Sequence, residues 1–337
     1  MFEKSRASLE LPSESAFFSP IRSLFQRNLN YEGTSHVEDH FEFICSVRFY
    51  NQHLRMMQLS FSTISSFLDM MQNKATLKEI SPLEMEKLRN VELNGVFSWL
   101  DSITAYKHLS SADQENLLKR YSIRKVSLDR FYIASLHVYE LQRKNFVLNN
   151  NTFIPPNRTG FEVVEEDEKQ IKFKNETFAE TNARSWKNVV LRFTDLSIKD
   201  AEVVYLQYML LWSVANYAYV SGDAKKMMKD QRNRVMSNLF EYYSLSKTEE
   251  PEVRFAEITM LLGELEEVFD MHCLDIQIFE VFGLSGLGNT WYVDVCHSQL
   301  NNPRLEWDFN MIENLKDLNF RNIQECAKKW KISCLNE

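Results

Sequence analysis

The segment Trp99–Leu118, WLDSITAYKHLSSADQENLL, is the part of the sequence that best indicates the fold. Trp99, Tyr106 and Leu109 fall on one face of a helical register, which predicts a helix that buries an aromatic pair. The small polar residues after Leu109 predict a turn, and a second apolar-periodic stretch follows it. The segment therefore predicts two consecutive helices joined by a tight turn.

Capping residues predict where the second helix begins. Ser111 is the predicted N-cap, and Gln114 stands three residues later, the spacing of a capping box. Asp113 lies in the first turn, where the helix dipole favours a negative charge. We expect this helix to run from about residue 112 to about residue 142.

Composition excludes several classes of protein. The chain has 337 residues, of which 44% are hydrophobic and 13% aromatic, enough for a sizeable core. Its 47 acidic and 39 basic residues give a net charge of −8. A protein that binds nucleic acid by itself normally carries a basic face, so we expect no direct nucleic-acid contact from this chain.

The cysteines predict neither a metal module nor a disulfide framework. No two of them form a C-x-x-C pair, so reduced, intracellular thiols are expected; they are Cys45, Cys273, Cys296, Cys326 and Cys334. His36 and His40 stand four residues apart but have no third ligand nearby. The charged N-terminal residues do not resemble a signal peptide. We therefore predict no metal site and no cofactor.

The uncharged stretch Val203–Val220 is long enough to raise the question of a membrane span. It contains Gln207, Ser213 and Asn216, which hydrocarbon would penalise. A helix that is apolar nearly all round is also typical of the centre of a layered helical domain. We therefore predict a buried helix and no membrane association.

The remaining pattern is mostly helical. Residues 1–40 are predicted to form a flexible N-terminal arm, followed by helices over 41–71, 82–107, 112–142, 181–193, 198–220 with Ser197 as cap, 223–245, and from Pro251 onward. Phe161 and Val163 alternate with polar residues, as do Ile171 and Phe173 across an acidic turn, which predicts a small β-hairpin. Gly283 is predicted to end the last long helix, because no phosphate-binding strand and lysine flank the glycines there.

These features together resemble the ligand-binding domain of nuclear receptors, and in particular the nematode-type supplementary branch of that family. The resemblance rests on the aromatic, leucine, Asp-Gln and Leu-Leu spacing of Trp99–Leu118 and on the order of helices around a small hairpin. It implies an all-α, three-layer antiparallel helical sandwich with one small β-hairpin. The implied division is an arm over 1–40, a ligand-binding domain over 41–300 and a C-terminal helical extension over 301–337.

The resemblance also assigns two structural elements. Glu202 and Arg254 match the buried pair that ties two helices together in the family; the alternative is two solvated charges near helix starts. The sequence Trp291-Tyr292-Val293-Asp294-Val295-Cys296 resembles the activation helix, with aspartate where glutamate is usual, although a core-packing turn explains it nearly as well.

A coregulator groove is implied between the signature helices and the activation helix; its residues would be Phe97, Asp101, Gln114, Leu118, Trp291 and Asp294. The family normally has a lysine two residues after the signature aromatic, and this chain has Asp101 there, which puts the usual charge clamp in doubt. The eight cysteines of a zinc-finger DNA-binding module are missing from this chain. We therefore expect DNA binding only through a part of the protein outside this chain or through a partner protein.

The implied function is a ligand-regulated transcription factor domain in the nucleus, with the cytoplasm open as a second location. Its partners would be a small lipophilic ligand, coregulator proteins and a homo- or heterodimer partner. Candidate pocket walls, for each of which ordinary core packing is the alternative, are Val96, Phe97, Leu100, Phe131, Phe153 and Phe279. The alternative function is a ligand-independent dimerisation or interaction module that uses the apolar stripe after Pro251. No histidine or acidic cluster is arranged for catalysis, so we do not expect an enzyme.

Overall fold

A computed structural model describes residues 34–61, 77–164 and 166–284. The predictions for Trp291, Asp294 and the segment 301–337 lie outside these residues. The described elements, in chain order, are helices α1 (Thr34–Ser60), α2 (Pro82–Ser102), α3 (Thr104–Lys107), α4 (Ser111–Ser135), α5 (Val138–Gln142), α6 (Glu168–Arg184), α7 (Leu191–Asp195), α8 (Asp200–Leu211), α9 (Gly222–Leu245) and α10 (Pro251–Val281), and strands β1 (Lys78–Glu79), β2 (Phe146–Val147) and β3 (Thr152–Ile154).

The helices form the predicted sandwich around α4 and α8. Helix α8 packs against α1, α4, α9 and α10, and α4 packs against α2, α8 and α10. Every residue of α8 from Ala201 to Leu211 is buried, as the uncharged stretch predicted. No helix among the described residues is long and apolar enough to cross a membrane. The all-α class with a small sheet is therefore confirmed.

Two boundaries of the central stretch differ from the prediction. The helix predicted over 198–220 ends at Leu211, and a 3₁₀ turn over Val214–Tyr219 follows. Ser213 caps this turn, because its hydroxyl accepts a hydrogen bond from the Ala215 amide. Ser197 is not the cap of α8, since its φ is +46° and the N-cap is Lys199. The first helix likewise begins at Thr34, inside the predicted arm.

The signature segment folds as two long helices with the short α3 between them. Helix α2 opens with the predicted capping box of Ser81 and Glu84 and ends at Ser102. The N-cap of α4 is Ser110, one residue before the predicted Ser111, and its hydroxyl accepts from the Asp113 amide. Gln114 does not complete a capping box, because its side-chain amide donates to the carbonyls of Tyr106 and Lys107 at the end of α3.

The predicted hairpin lies elsewhere in the chain. Strands β2 and β3 are antiparallel, with Phe146 opposite Ile154, and β1 joins β3 in parallel. Ile171 and Phe173 belong instead to α6, which begins after a capping box formed by Asp167 and Gln170. The cap forces the helical register on a short stretch whose apolar residues also alternate, so the alternation was misleading.

Helix α10 begins at Pro251 and ends where the sequence predicts. Gly283 has φ of +63°, and the amides of Gly283 and Leu284 donate to the carbonyls of Glu280 and Phe279 at 2.9 and 2.8 Å. This is a Schellman motif, in which a glycine accepts the left-handed backbone and releases the chain from the helix axis. The glycine therefore fixes the direction in which the chain leaves the sandwich.

Candidate functional site

An open cavity of about 480 Å³ lies at one end of the sandwich, between α4, the sheet, α6 and α10. Its walls combine aromatic rings, small residues and a few polar groups; the lining residues are Ser127, Arg130, Phe131, Lys144, Phe146, Ile154, Pro155, Pro156, Arg158, Thr159, Phe161, Asn175, Phe178, Ala179, Asn182, Ala183, Ser185, Trp186 and His272. Small-molecule sites in proteins typically enclose 300 to 1,000 Å³ and have mainly apolar walls, so the cavity has the size and character of such a site.

Two groups of rings form the walls. Phe146 lies 6.0 Å from Phe131 and 6.3 Å from Trp186, measured between ring centroids. On the other side Phe178 lies 5.5 Å from Phe161 and 5.1 Å from His272. Aromatic pairs at these separations favour edge-to-face and offset arrangements, so the walls are preorganised rather than loosely packed.

A π-helical turn over Ser185–Val190 interrupts the run from α6 to α7 and carries Trp186. Such a turn changes the direction of the side chains that follow, and π turns are frequent at functional sites. Ala183 and Ala179, about one and two helical turns before Trp186, present only methyl groups to the cavity. Small residues on the helix together with the redirected indole leave the space open.

The segment 155–163 closes the cavity toward α2, and buried cations hold its backbone. Arg89 donates to the Gly160 carbonyl at 2.6 Å, and Lys174 donates to the Phe161 carbonyl at 2.6 Å. The Glu162 carboxylate accepts from the amides of Thr159 and Gly160 at 2.7 and 2.9 Å. Gly160 has φ of +78°, a left-handed backbone conformation that favours glycine because it has no Cβ. The wall therefore has a defined shape.

The ionisable groups in the cavity differ in how they are compensated. Arg130 makes a bidentate pair with Glu92, at 2.8 and 2.6 Å. Burial, with the charges of Arg130 and Arg89, lowers the pKa of His272 to about 3, so this imidazole is neutral at physiological pH. Arg158 is half-buried and Lys144 is exposed. The cavity therefore has one neutralised cation deep in its wall and two cations nearer the solvent.

Most of the predicted pocket walls lie outside this cavity. Phe131 is the one predicted residue that lines it. Val96 and Leu100 are 1% and 2% exposed and belong to the main core. Phe279 packs in a second core cluster with Phe161 and Phe178, and Phe153 is half-buried on β3. Phe97 is 45% exposed, because its position on α2 faces solvent rather than the interior.

The lining residues that the sequence analysis missed come from three separate segments. Phe146 follows the left-handed turn after α5, Arg158 and Phe161 follow the Pro155-Pro156 pair, and Trp186 lies on the π turn. The double proline with an aromatic five residues later was the available signal, since prolines stiffen a loop that positions binding residues.

Four of the six residues predicted to form a coregulator groove lie within the described part of the chain. Phe97 and Asp101 are exposed on α2, while Gln114 and Leu118 are half-buried on α4. Asp101 lies 3.7 Å from the Lys107 ammonium, a contact between exposed groups that screening keeps weak. Trp291 and Asp294 lie outside the described residues. Asp101 is therefore an exposed negative charge at the position where the resemblance implies a lysine.

Glu202 and Arg254 are brought together at the junction of α8, α9 and α10. The guanidinium donates twice to the carboxylate, at 2.7 Å each, and Glu202 is fully buried. Glu202 also accepts from the Tyr243 hydroxyl and from the Lys199 amide, at 2.8 Å each. Burial and the adjacent Glu202 raise the pKa of Tyr243, so the phenol stays a donor. All the polar groups of this junction are thus satisfied.

The structure shows the surroundings of residues that the sequence analysis weighed for metal binding or catalysis. His40 lies in α1 rather than in an arm, is buried, and has Glu241 3.3 Å from its Nδ1. Within residues 34–61, 77–164 and 166–284, no group of three His, Cys, Asp or Glu side chains could hold a metal ion. The acidic run 165–168, predicted as a solvated turn, includes Asp167, which caps α6, and Glu166, which pairs with Lys174.

Comparison with known proteins gives the same assignment as the fold. Residues 70–282 match the family model described as the ligand-binding domain of nuclear hormone receptor. The chain is 45% identical, over 278 residues, to nuclear hormone receptor family member nhr-71 of Caenorhabditis elegans. That alignment covers 82% of this chain and 48% of the nematode protein, so the chain spans about half the length of this relative. The chain therefore belongs to the nuclear hormone receptor family, and its described core is the family's ligand-binding domain.

Proposed function

We propose that this domain binds a small, largely apolar molecule in the cavity between α4, the sheet, α6 and α10, and that occupancy regulates coregulator binding. The observation that carries the proposal is the aromatic-walled cavity of about 480 Å³. Ligand sites are typically clefts of this size that have mainly apolar walls and a few well-placed polar groups. Family members are ligand-regulated transcription factors that generally act in the nucleus and generally have no enzymatic activity, and the proposal agrees with that class.

A ligand can regulate the domain only if it binds two arrangements of the protein with different affinity. The cavity offers a route for this difference. Phe161 and Phe178 line the cavity, and the centroid of each ring lies 6.1 Å from that of Phe279, near the end of α10. A ligand that displaces these rings changes the packing under the last turn of α10, from which the chain leaves through Gly283. We infer that this contact transmits occupancy to the segment after α10.

The coregulator surface of the proposal is the strip of Phe97, Asp101, Gln114 and Leu118. An apolar strip on two helices suits the apolar face of a short partner helix. The carboxylate of Asp101 would stand at the C-terminal end of a helix bound as in the family, where the helix dipole is also negative. We propose that standard Leu-rich coactivator peptides bind weakly here, and that the natural coregulator has basic residues at that end.

The proposal is tested by mass spectrometry of small molecules that co-purify with the native protein. We expect a bound apolar molecule, and we expect Ala183→Leu, which adds volume to the cavity wall, to lose it. Ala112→Leu is the matched control, because Ala112 is exposed on α4 and does not line the cavity. Absence of any bound molecule, together with no stabilisation by any member of an apolar compound library, would show that the cavity is not a ligand site.

A second candidate, dimerisation, is supported by the exposed face of α9 and α10. The stripe proposed for it from the sequence is unsuitable, because Ile258, Leu265 and Phe269 are fully buried in the core. Met260 and Val253, two turns apart on one face of α10, are instead 77% and 53% exposed. Family members typically have dimer partners. We propose a homodimer through this face.

Sedimentation or light scattering of the purified chain tests this second candidate. Met260→Lys is expected to shift a dimer to monomer, and Leu83→Lys, an equally exposed apolar position on α2, is the control. A monomer in the unmodified protein would remove the homodimer and leave a heterodimer with another receptor.

Location and DNA binding complete the proposal. We propose that the chain acts in the nucleus, with a cytoplasmic fraction that imaging of a tagged chain would reveal. With its net charge of −8, we propose that these 337 residues alone have no meaningful affinity for duplex DNA. Micromolar binding in an anisotropy titration at low salt would contradict this.

A further inference from the structure

The charged residues that line the cavity all have the same sign. They are Arg130, Lys144 and Arg158, and no carboxylate of the described residues lines the cavity, although the chain as a whole carries eight more acidic than basic residues. A neighbouring depression of about 450 Å³ shares Arg158, and its other charged lining residues are Glu79, Glu162 and Glu166. The exclusion of acidic groups is therefore a property of the cavity and not of this side of the molecule.

Only one of the three cations is neutralised within the described part of the chain. Arg130 is paired with Glu92, as described above. Among residues 34–61, 77–164 and 166–284, no carboxylate lies within ion-pair distance of Arg158 or Lys144. His272 adds no charge and can serve as a neutral polar group. Two uncompensated cations thus flank an opening whose remaining walls combine aromatic rings with small and uncharged polar residues.

The end of α5 places the Lys144 side chain at the rim of the cavity. Helix α5 ends in a Schellman motif, because the amides of Lys144 and Asn145 donate to the carbonyls of Leu141 and Glu140. Lys144 occupies the left-handed position of this motif, with φ of +57°, where glycine is usual because it has no Cβ. A lysine at this strained position keeps an ammonium group at the rim of the cavity, which glycine would not supply.

We propose that the ligand is an amphiphile with an anionic head, bound with its apolar body against the aromatic rings and its head at Arg158 and Lys144. This inference rests on the proposed function of the cavity as a ligand site. A half-buried guanidinium forms charge-assisted hydrogen bonds with a carboxylate, and these are stronger than bonds between neutral groups. An uncharged ligand that covered the rim would instead desolvate two cations without compensation.

Matched pairs of ligands test the charge of the head separately from the apolar body. Saturated fatty acids of increasing length, from decanoic to palmitic acid, are compared with the primary alcohols of the same length by calorimetric titration of the full chain. All measurements are made below the concentration at which the ligands form micelles. We expect the best acid to bind about 10- to 100-fold more tightly than its alcohol, the difference that hydrogen bonds to charged groups typically make.

Substitutions then locate the head. Arg158→Gln and Lys144→Gln keep polar side chains of similar length, and the double variant is expected to lose the preference for the acid while its affinity for the alcohol stays within about twofold. Lys169→Gln is the control, because Lys169 is exposed on α6 and does not line the cavity. Thermal melting of each variant confirms that it is folded.

The outcomes separate this inference from the proposed function. Equal affinity of acid and alcohol in the unmodified chain would overturn the anionic head and leave the ligand site intact. Acid binding that neither the double variant nor Ala183→Leu weakens would place the acid elsewhere and would also overturn the inference. If no acid and no alcohol binds and no small molecule co-purifies, both proposals fail together.

Discussion

The junction of α8, α9 and α10 and the cavity at the other face of α4 treat charge in opposite ways. At the junction, Glu202 is fully buried and accepts four hydrogen bonds, two of them from Arg254. At the cavity, Arg158 and Lys144 lie beside an open volume and have no carboxylate within reach among the described residues. The charges of the junction are paired with other groups of the chain, whereas the cations of the cavity are available to pair with a bound ligand.

The difference indicates which region is scaffold and which can respond. Breaking a buried pair leaves an isolated charge, so a satisfied junction can have only one arrangement. A wall with open volume and unpaired cations can exist with and without an occupant, and its two states differ by what the occupant binds. Helix α10 is common to both regions, because it carries Arg254 at the junction and His272 in the cavity wall.

The largest effect is expected at the junction. Arg254→Ala should lower the free energy of unfolding by about 3 to 5 kcal/mol, because it leaves the fully buried Glu202 carboxylate without its cation. Glu202→Ala should cost less, because the Arg254 guanidinium is partly exposed and water can solvate it. The double variant should lose less than the sum of the two single losses. Denaturant unfolding measures all three.

The exposed pair of Lys172 and Glu176, 3.8 Å apart on α6, is the matched control for this prediction. Lys172→Ala should change stability by no more than about 0.5 kcal/mol, because solvent screens a surface pair. Small and additive losses for Glu202 and Arg254 would mean that the junction is not the scaffold.

The next effect concerns acid sensitivity at the cavity. The pKa of His272 is about 3 in the folded chain, and an unperturbed histidine in the unfolded chain titrates near 6.5. Between these values the unfolded chain binds more protons, so stability falls as the pH falls, by at most about 1.4 kcal/mol per pH unit for this group. His272→Gln should therefore flatten the dependence of stability on pH below about 6.5.

Unfolding at several pH values between neutral and mildly acidic conditions checks this prediction. His108→Gln, at an exposed position on α3's C-terminal end, should leave the slope unchanged. An unchanged slope in His272→Gln would show that the imidazole is already accessible to protons in the folded chain.

Helix ends that depend on a few neighbouring residues were easier to predict than the position of the hairpin. The start of α2 at Ser81, the start of α10 at Pro251 and its end at Gly283 depend on caps and on one permissive glycine, and these were predicted correctly. The hairpin was misplaced, because the alternation of Ile171 and Phe173 fits a strand as well as one face of a short helix.

The candidate site was harder to predict because its walls come from distant segments. Phe131, Phe146, Trp186 and His272 meet only after α4, the sheet, the π turn and α10 have packed. Periodicity identifies which residues are apolar, but it does not tell a filled core from a wall that faces open space. Glu202 and Arg254, 52 residues apart, were paired through the resemblance and not by local rules.

A smaller effect is expected at the N-terminus of α4, where the signature helix is tied to α9. The Asp113 carboxylate accepts from the amide and hydroxyl of Ser221, at 2.8 Å each, and from the hydroxyl of Ser110 at 2.7 Å. Ser110→Ala should lose about 1 kcal/mol of stability through the lost cap, and Ser111→Ala should be nearly neutral. Equal losses of stability for the two variants in thermal unfolding would contradict Ser110 as the N-cap.

The smallest effect, and the one closest to function, concerns the charge at the end of α2. The dipole of a bound coactivator helix places negative potential at its C-terminus, and a charge there typically contributes about 0.3 to 1 kcal/mol at an exposed site. Asp101→Lys replaces repulsion by attraction, so an LxxLL-type peptide should bind about two- to tenfold more tightly in a fluorescence titration. Asp101→Asn removes the repulsion alone, so its peptide affinity should fall between those of the unmodified chain and Asp101→Lys.

Lys107, which lies 3.7 Å from Asp101, would face a like charge in Asp101→Lys. Lys107→Gln in that background should change peptide affinity little. Tight binding by the unmodified chain that Asp101→Lys weakens would mean that this surface uses its carboxylate, and the partner would then carry a basic residue where the family's peptides present a bare helix end.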